Sequence, residues 1–279
     1  TAVSHYIDSK HLLNNLTSSI YFSDKQINMI PDIYSTNICS LLENTYKKCI
    51  SVLFKFSYDY KLIDYTISLT NVFIEKNFSY DEAEKYIKYK SNKYKYLCDL
   101  MSFMNQYDSS INDTHILIEK LMILTNHKIA LTLYNYDSNI ILRTHQKTDI
   151  YTEKSNNELN KFLQLKKFTS AIYEQNNTNI FHYGLNLEFY THFTSPIRRL
   201  VDIITHINVK NYLLKKPLLH ITNSELEHIN KIQKNIKKFS YDCNIIHLLF
   251  KYPNHSSIKK YAYIIDFTNY KFTIYIPEY

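Results

Sequence analysis

Cysteine is scarce and scattered: Cys39, Cys49, Cys98 and Cys243 form no CxxC pair. That spacing excludes a disulfide framework and a cysteine zinc site, and it leaves buried, inert thiols. Scattered free cysteines point to a reducing, intracellular compartment: cytoplasm, nucleus or an organelle. No run approaches the roughly 20 apolar residues that a membrane helix needs, so no membrane partner is expected. A charged-then-apolar leader pattern is also missing at the N-terminus. There is no Met at position 1 (the chain opens at Thr1), which fits a fragment or a processed product. Tryptophan is absent and glycine occurs once, at Gly184. A single glycine in so glycine-poor a chain is expected to meet a backbone need, either positive φ or a close approach.

What is present reads as globular. Apolar residues make up 45% of the 279 and charged residues 21%, enough for one large domain or a domain and a half. The net charge of +7 is compatible with a polyanionic partner without singling one out. The 27 tyrosines accompany abundant Asn, Lys and Ile, as an AT-rich coding sequence would produce, so they carry little information about nucleic acid by themselves.

Residues 1–58 read as strands and short connections, with Val52, Phe54 and Phe56 alternating on one side of a strand. Ser79 and Glu82 fit a capping box, and Ala83, Ile87, Tyr94, Leu97, Met101 and Met104 follow at helical spacing. Within that stretch Lys85–Tyr96 interleaves Lys and Tyr. It reads as a solvated helix face with lysine stems covering rings, or else as the lining of an RNA path. Ile118–Ala130 is a second, more apolar helix. Asn-rich polar connections lie near 105–114 and 153–160. Near the C-terminus, Tyr261–Phe267 and Lys271–Ile276 form a hairpin with Phe272, Ile274 and Ile276 on one face. A lone hairpin is marginal in water, so it should pack on the main domain or begin a β-barrel. No internal repeat is visible.

The most informative stretch is His182–Arg199, HYGLNLEFYTHFTSPIRR. Ser195 followed by Pro196 reads as a helix start, with Leu200, Val201, Ile204, Ile207 and Leu213 as a buried stripe behind it. Arg198 and Arg199 would then stand in the first turn, against the helix dipole, beside free backbone amides: an anion site, with phosphate the natural ligand. The plainer alternative pairs Arg198 with Asp202 and Arg199 with another surface acid. His182, His192 and His206 flank the segment and read as packing and hydrogen-bonding residues whose spacing fits no compact metal site.

HYGLNLEFYTHFTSPIRRLVDIITH resembles the signature of the RNase II/RNase R (RNB) exoribonucleases, and the exosome-type catalytic subunit is similar. Other blocks follow in the family's order: VSHYI from Val3, IYFSDKQINMIP from Ile20, NICSL from Asn37, FSYDEA from Phe78, IEKLMILTN from Ile118 and LRTH from Leu142. The resemblance covers nearly the whole chain. It implies an α+β fold, an RNB-type catalytic domain with a mixed sheet packed by helices. That domain would occupy residues 1–256, without its N-terminal acidic block, and the hairpin in 257–279 would open an OB-fold RNA-binding barrel.

For function, the resemblance implies 3′→5′ hydrolysis of single-stranded RNA to nucleoside 5′-monophosphates by two Mg²⁺ ions. Arg198 matches the catalytic arginine that neutralises the scissile phosphate, and Tyr21 the ring that stacks on the 3′-terminal base. Arg199, His192 and Ser195 complete the implied substrate-binding set. Arg199 also reads as a backbone contact or a structural pair. Other subunits of an RNA-processing complex are implied partners.

The departures are specific. The family's metal-binding aspartates sit ahead of the VSHYI block, where this chain has not begun, so no metal ligand is assigned and the chain by itself is expected to be inactive. Asp59 and Asp64 are the nearest later approach to such a cluster. Ala2 stands where the family has an acid and Leu200 where it has a tyrosine. The stretch near 100–115 looks shortened, and the late helical motif is blurred in Asn235–Cys243. Two functions stay open: part of an RNB exoribonuclease, or a catalytically inactive RNB-like RNA-binding or scaffold protein.

Overall fold

In a computed structural model, residues 3–5, 16–22, 24–147, 159, 170–175, 180–251, 259–268 and 270–277 are described. The Asn-rich connection at 153–160 and the position of Ala2 lie outside them, apart from the isolated residue 159.

After a short 3₁₀ turn at Val3–His5, strands β1 (Ile20–Tyr21) and β2 (Gln26–Ile27) pair antiparallel. The next segment departs from the expected strands and connections: Ile33–Ile38 winds as a single π-helical stretch. The long hairpin follows as expected, β3 (Thr45–Phe56) against β4 (Leu62–Ile74). Val52, Phe54 and Phe56 are half-buried while Leu53 and Lys55 face solvent, which is the strand alternation read from the sequence.

The Ser79 N-cap forms, its hydroxyl accepting the Glu82 amide at 3.1 Å, while the Glu82 carboxylate turns to Lys76 instead of closing the box. The helix it starts is shorter than its spacing suggests. Helix α1 (Tyr80–Lys88) ends, and α2 (Lys95–Tyr107) begins after a 3₁₀ turn at Asn92–Tyr94. Lys90 lies at φ 48°, with its amide bonded to Ile87 O and that of Ser91 to Tyr86 O. That is a Schellman stop with lysine at the left-handed position. Tyr94 then turns into the protein against Phe78 and Tyr86, ring centroids 5.0 and 4.6 Å away. Lys85–Tyr96 is therefore not one continuous helix face.

Helix α3 (Thr114–Tyr136) extends the expected Ile118–Ala130 at both ends, capped by the Asp113 carboxylate on the Ile116 amide. Strand β5 (Leu142–Thr144) pairs antiparallel with β6 (Ile172–Glu174). Strand β7 (Phe181–His182) pairs antiparallel with β8 (Leu187–Glu188), and an isolated parallel bridge, His145 to His182, links the two hairpins. The α+β expectation is met, with two-stranded ladders among the described residues.

Helix α4 (Leu200–Leu213) is apolar almost all round and sits in the middle of the protein. Leu200, Val201 and Ile204 join one core cluster with Val3, Ile30 and Ile229. Val209 joins a second with Ile129, Leu133 and Phe193, and a third gathers Met101, Met104, Ile111 and Leu117. Helix α5 (Asn223–Lys251) buries only Leu226 and Ile229. Strands β9 (Tyr263–Thr268) and β10 (Lys271–Tyr275) form the expected hairpin. It is not covered by the main domain: Ile264, Phe267, Phe272 and Ile274 are all more than half exposed.

Candidate nucleic-acid interface

The Ser195-Pro196 helix start does not form. Helix α4 begins at Leu200, and Arg199 precedes it with extended backbone, φ −142° and ψ 130°. The reason is a partner far away in sequence. Ser19 N donates to Arg198 O at 3.0 Å, Leu200 N to Thr17 O at 3.0 Å, and Ser18 bridges Arg199. Residues 17–19 thus hold Arg198–Leu200 as a strand, which a helix could not accommodate. Ser195–Arg198 instead closes a turn, with the Arg198 amide on Ser195 O at 3.2 Å.

The same pairing sets Tyr21 beside Arg198. Both line one cleft of about 310 Å³, together with Ser195, Gln26 and Asn28. Tyr21 is 46% exposed, and Arg198 is exposed and makes no salt bridge among the described residues. A ring and a cation facing one opening offer a base platform next to a phosphate contact.

Arg199 points the other way. Its guanidinium grips Asp202 with two bonds, Nε to Oδ2 at 2.7 Å and Nη2 to Oδ1 at 2.9 Å. Asp202 is fully buried, and its Oδ1 also accepts the Ser195 amide at 2.6 Å. The surface pairing of Arg198 with Asp202 is thereby corrected: Arg199 holds that acid. A buried carboxylate takes the arginine whose fork fits it bidentately, which leaves the neighbouring arginine free.

His192 also stands behind the cleft wall. Its Nδ1 meets the Tyr173 hydroxyl at 2.6 Å. Burial, then the charges of Arg199 and Arg143, push its pKa down to about 2, so the ring is neutral. The Tyr173 oxygen also accepts the Gln233 amide N–H at 3.4 Å. Of the five sequence-derived residues, Tyr21, Ser195 and Arg198 share the cleft; Arg199 and His192 hold its wall.

One support, Asn126, was not singled out by sequence. Asn126 Oδ1 accepts the amides of Phe193 and Thr194 at 3.0 and 3.2 Å, and its Nδ2 donates to the Tyr190 hydroxyl at 3.0 Å. The signal was an asparagine in an apolar helix, which needs partners when buried. His206 is buried, stacks on Phe193 at 4.3 Å and donates from Nε2 to Phe193 O at 2.8 Å. Burial lowers its pKa to about 3. His182, depressed to about 4 by burial and His145, accepts the Leu185 amide. Gly184 resolves to close approach and not positive φ: a Cβ there would sit 2.8 Å from His145 Nδ1, which already accepts the Gly184 amide.

Asp59 is bound up with Lys61 and Ser57 in the β3–β4 turn. Among the described residues no group of three His, Cys, Asp or Glu side chains is placed to hold a metal ion. The magnesium pair implied by the resemblance therefore finds no fitting ligand set there. Among the same residues, no helix is long and apolar enough to cross a membrane.

The family model described as the RNB domain matches residues 1–106 and 96–215. The chain belongs to the RNB domain family. Ribonuclease R of Chlamydia trachomatis is 26% identical to this RNB chain over 301 residues, covering 82% of it and 42% of the relative. The exosome complex exonuclease RRP44 of mouse is 22% identical over 280 residues, covering 73% and 29%. The chain thus spans under half the length of these curated relatives. Among solved structures, the apo form of Mycoplasma genitalium RNase R superposes with a TM-score of 0.80 at 17% identity, covering all of this chain and 56% of that one. Yeast Ssd1, titled a pseudonuclease, superposes at 0.76 and 16% identity, covering 90% and 40%. The RNB fold is shared by both.

Proposed function

We propose that this chain forms the 3′-end-gripping part of an RNB exoribonuclease that hydrolyses single-stranded RNA to nucleoside 5′-monophosphates. Tyr21 stacks on the terminal base and Arg198 neutralises the phosphate to be cut. The observation that carries this is the shared cleft: two residues 177 positions apart are joined by the backbone ladder between 17–19 and 198–200. Relatives named ribonuclease R and an exosome exonuclease support the activity, and the Mycoplasma genitalium neighbour solved with ribose methylated single-stranded RNA supports the ligand. The relative from the exosome complex also supports partner subunits. Metal ligation falls to residues other than those described. The hairpin at 263–275, apolar and exposed on its large residues, fits the opening strands of an OB barrel beginning near residue 257.

A second reading has its own support. No metal-binding cluster is found among the described residues, and one structural neighbour is titled a pseudonuclease, both of which suit an RNB protein that binds RNA without cutting it.

Binding of a short single-stranded RNA, titrated with salt, tests the site. Tyr21→Ala should weaken binding with the salt slope unchanged, because stacking is lost and no charge is removed. Arg198→Ala should weaken it and lower the slope by about 0.7, one phosphate contact on a single strand. Parent-like binding by both variants overturns the proposed grip. Incubating the chain with RNA and Mg²⁺ separates the two readings: release of monophosphates that Arg198→Ala abolishes would place metal ligands within this chain.

A further inference from the structure

Stacking alone does not tell one base from another, because every base presents a π-face. The wall beside Tyr21 carries a group that can. Tyr21 and Gln26 stand directly opposite each other in the β1–β2 ladder, so their side chains leave the same face. Both line the cleft that holds Arg198, and Asn28 lines it with them. Asp32 lies outside that lining, at the start of the Ile33–Ile38 π-helical stretch, where its carboxylate caps no backbone amide.

Gln26, Asn28 and Asp32 form a chain of hydrogen bonds with one direction. Gln26 Nε2 donates to Asn28 Oδ1 at 2.6 Å, and Asn28 Nδ2 donates to Asp32 Oδ1 at 2.7 Å. The direction is set at the far end. A carboxylate accepts and cannot donate, so Asn28 gives Asp32 its NH₂ and turns its carbonyl oxygen to Gln26. Gln26 must answer with its own NH₂. That leaves Gln26 Oε1 as the end of the amide with no donor among the described residues. A glutamine free to turn would offer either end to a neighbouring base and read nothing. Held this way, it offers an acceptor.

The edge of a stacked base is where that acceptor matters. Adenine and cytosine carry an exocyclic amino donor where guanine and uracil carry a keto oxygen. We infer that Gln26, oriented by Asn28 and Asp32, accepts a hydrogen bond from the exocyclic amino group of the 3′-terminal base on Tyr21. The cleft therefore favours terminal adenine and cytosine over guanine and uracil. Gln26 determines the preference, and Asp32 is a positioning residue that acts through Asn28 without touching RNA. The inference rests on the proposed RNA grip.

The test is competition binding of the whole chain to short single-stranded oligoribonucleotides that differ only in the 3′-terminal nucleoside. Adenosine should bind about fivefold tighter than purine riboside, which stacks alike but lacks the amino group; one neutral hydrogen bond is worth that much. Cytidine should exceed uridine by a similar factor. Gln26→Ala should level these ratios and leave sequence-tolerant stacking. Asp32→Asn should level them too, because an amide at 32 lets Asn28 and Gln26 turn over. A purely structural Asp32 would shift all affinities together and keep the ratios. Adding Gln26→Glu to Asp32→Asn should restore the preference, since a carboxylate at 26 accepts in any orientation. Gln26 and Asp32 are both exposed, so these substitutions empty no core.

Equal binding of all terminal bases by the parent overturns the inference, as does a preference that survives Gln26→Ala or Asp32→Asn. So does a parent indifferent to base identity that loses, with the terminal 2′-hydroxyl, affinity which depends on Gln26: the acceptor would then serve the ribose. In each of these cases the grip stands as long as Tyr21→Ala and Arg198→Ala weaken binding. If those two variants bind like the parent, the grip fails and takes the base preference with it.

Discussion

Asp202 shows how one buried charge organises a surface. It sits with no solvent exposure, accepts Arg199 twice and takes the Ser195 amide, so the turn carrying Arg198 hangs from it. Removing one member of such a pair leaves the other buried and uncompensated, a loss of about 3–5 kcal/mol. Asp202→Ala should therefore destabilise the chain by that order in chemical denaturation, and Asp202→Asn nearly as much, because the amide keeps shape but not charge. Equal stability of Asp202→Asn and the parent would mean that shape and hydrogen bonds suffice. Asn126 works beside it by hydrogen bonds only, accepting two amides of the Phe193–Thr194 segment.

At the scale of elements, the break between α1 and α2 has a local cause and a tertiary one. Lys90 occupies the left-handed position of a Schellman stop, where a Cβ is costly and glycine is favoured. Lys90→Gly should raise stability by about 1 kcal/mol in urea denaturation, with no change in RNA binding. A loss of stability would mean that the lysine side chain matters more than its backbone strain. The tertiary cause is Tyr94, 6% exposed among Phe78, Tyr86 and Tyr96, which the 3₁₀ turn carries inward. An unbroken helix would not deliver that ring to the same place. The two long exposed elements, the far half of α5 and the β9–β10 hairpin, bury little against the three core clusters.

For the whole molecule, acid is the weak direction. His182, His192 and His206 have pKa values of about 4, about 2 and about 3 in the folded chain, all below the ordinary 6.5 and all chiefly through burial. Between those values and 6.5 the unfolded chain binds more protons than the folded one, so stability rises with pH there. It should be fully present above about pH 6.5 and drain away as pH falls toward 4. His206→Gln should flatten that dependence even if it lowers stability at neutral pH. Melting temperatures measured between pH 4 and 8 check this, and a flat profile for the parent contradicts the buried neutral histidines.

Periodicity determined much by itself. The alternation of Val52, Phe54 and Phe56, the Ser79 cap, the apolar Ile118–Ala130 stretch and the C-terminal hairpin are local patterns, and local patterns survive folding because each element must bury one face. The signature around HFTSPIRR singled out Arg198, and the IYFSD block Tyr21, and the folded chain sets both on one cleft. Tertiary structure decided the rest. Ser195-Pro196 carries the residues of a helix start, yet the backbone of Thr17–Ser19, some 180 residues away, holds Arg198–Leu200 as a strand. Which arginine meets Asp202 and which faces the cleft follows from that strand, since adjacent side chains on an extended backbone point to opposite sides. No local spacing encodes a partner so distant, and so the division of labour between Arg198 and Arg199 exists only in the folded chain.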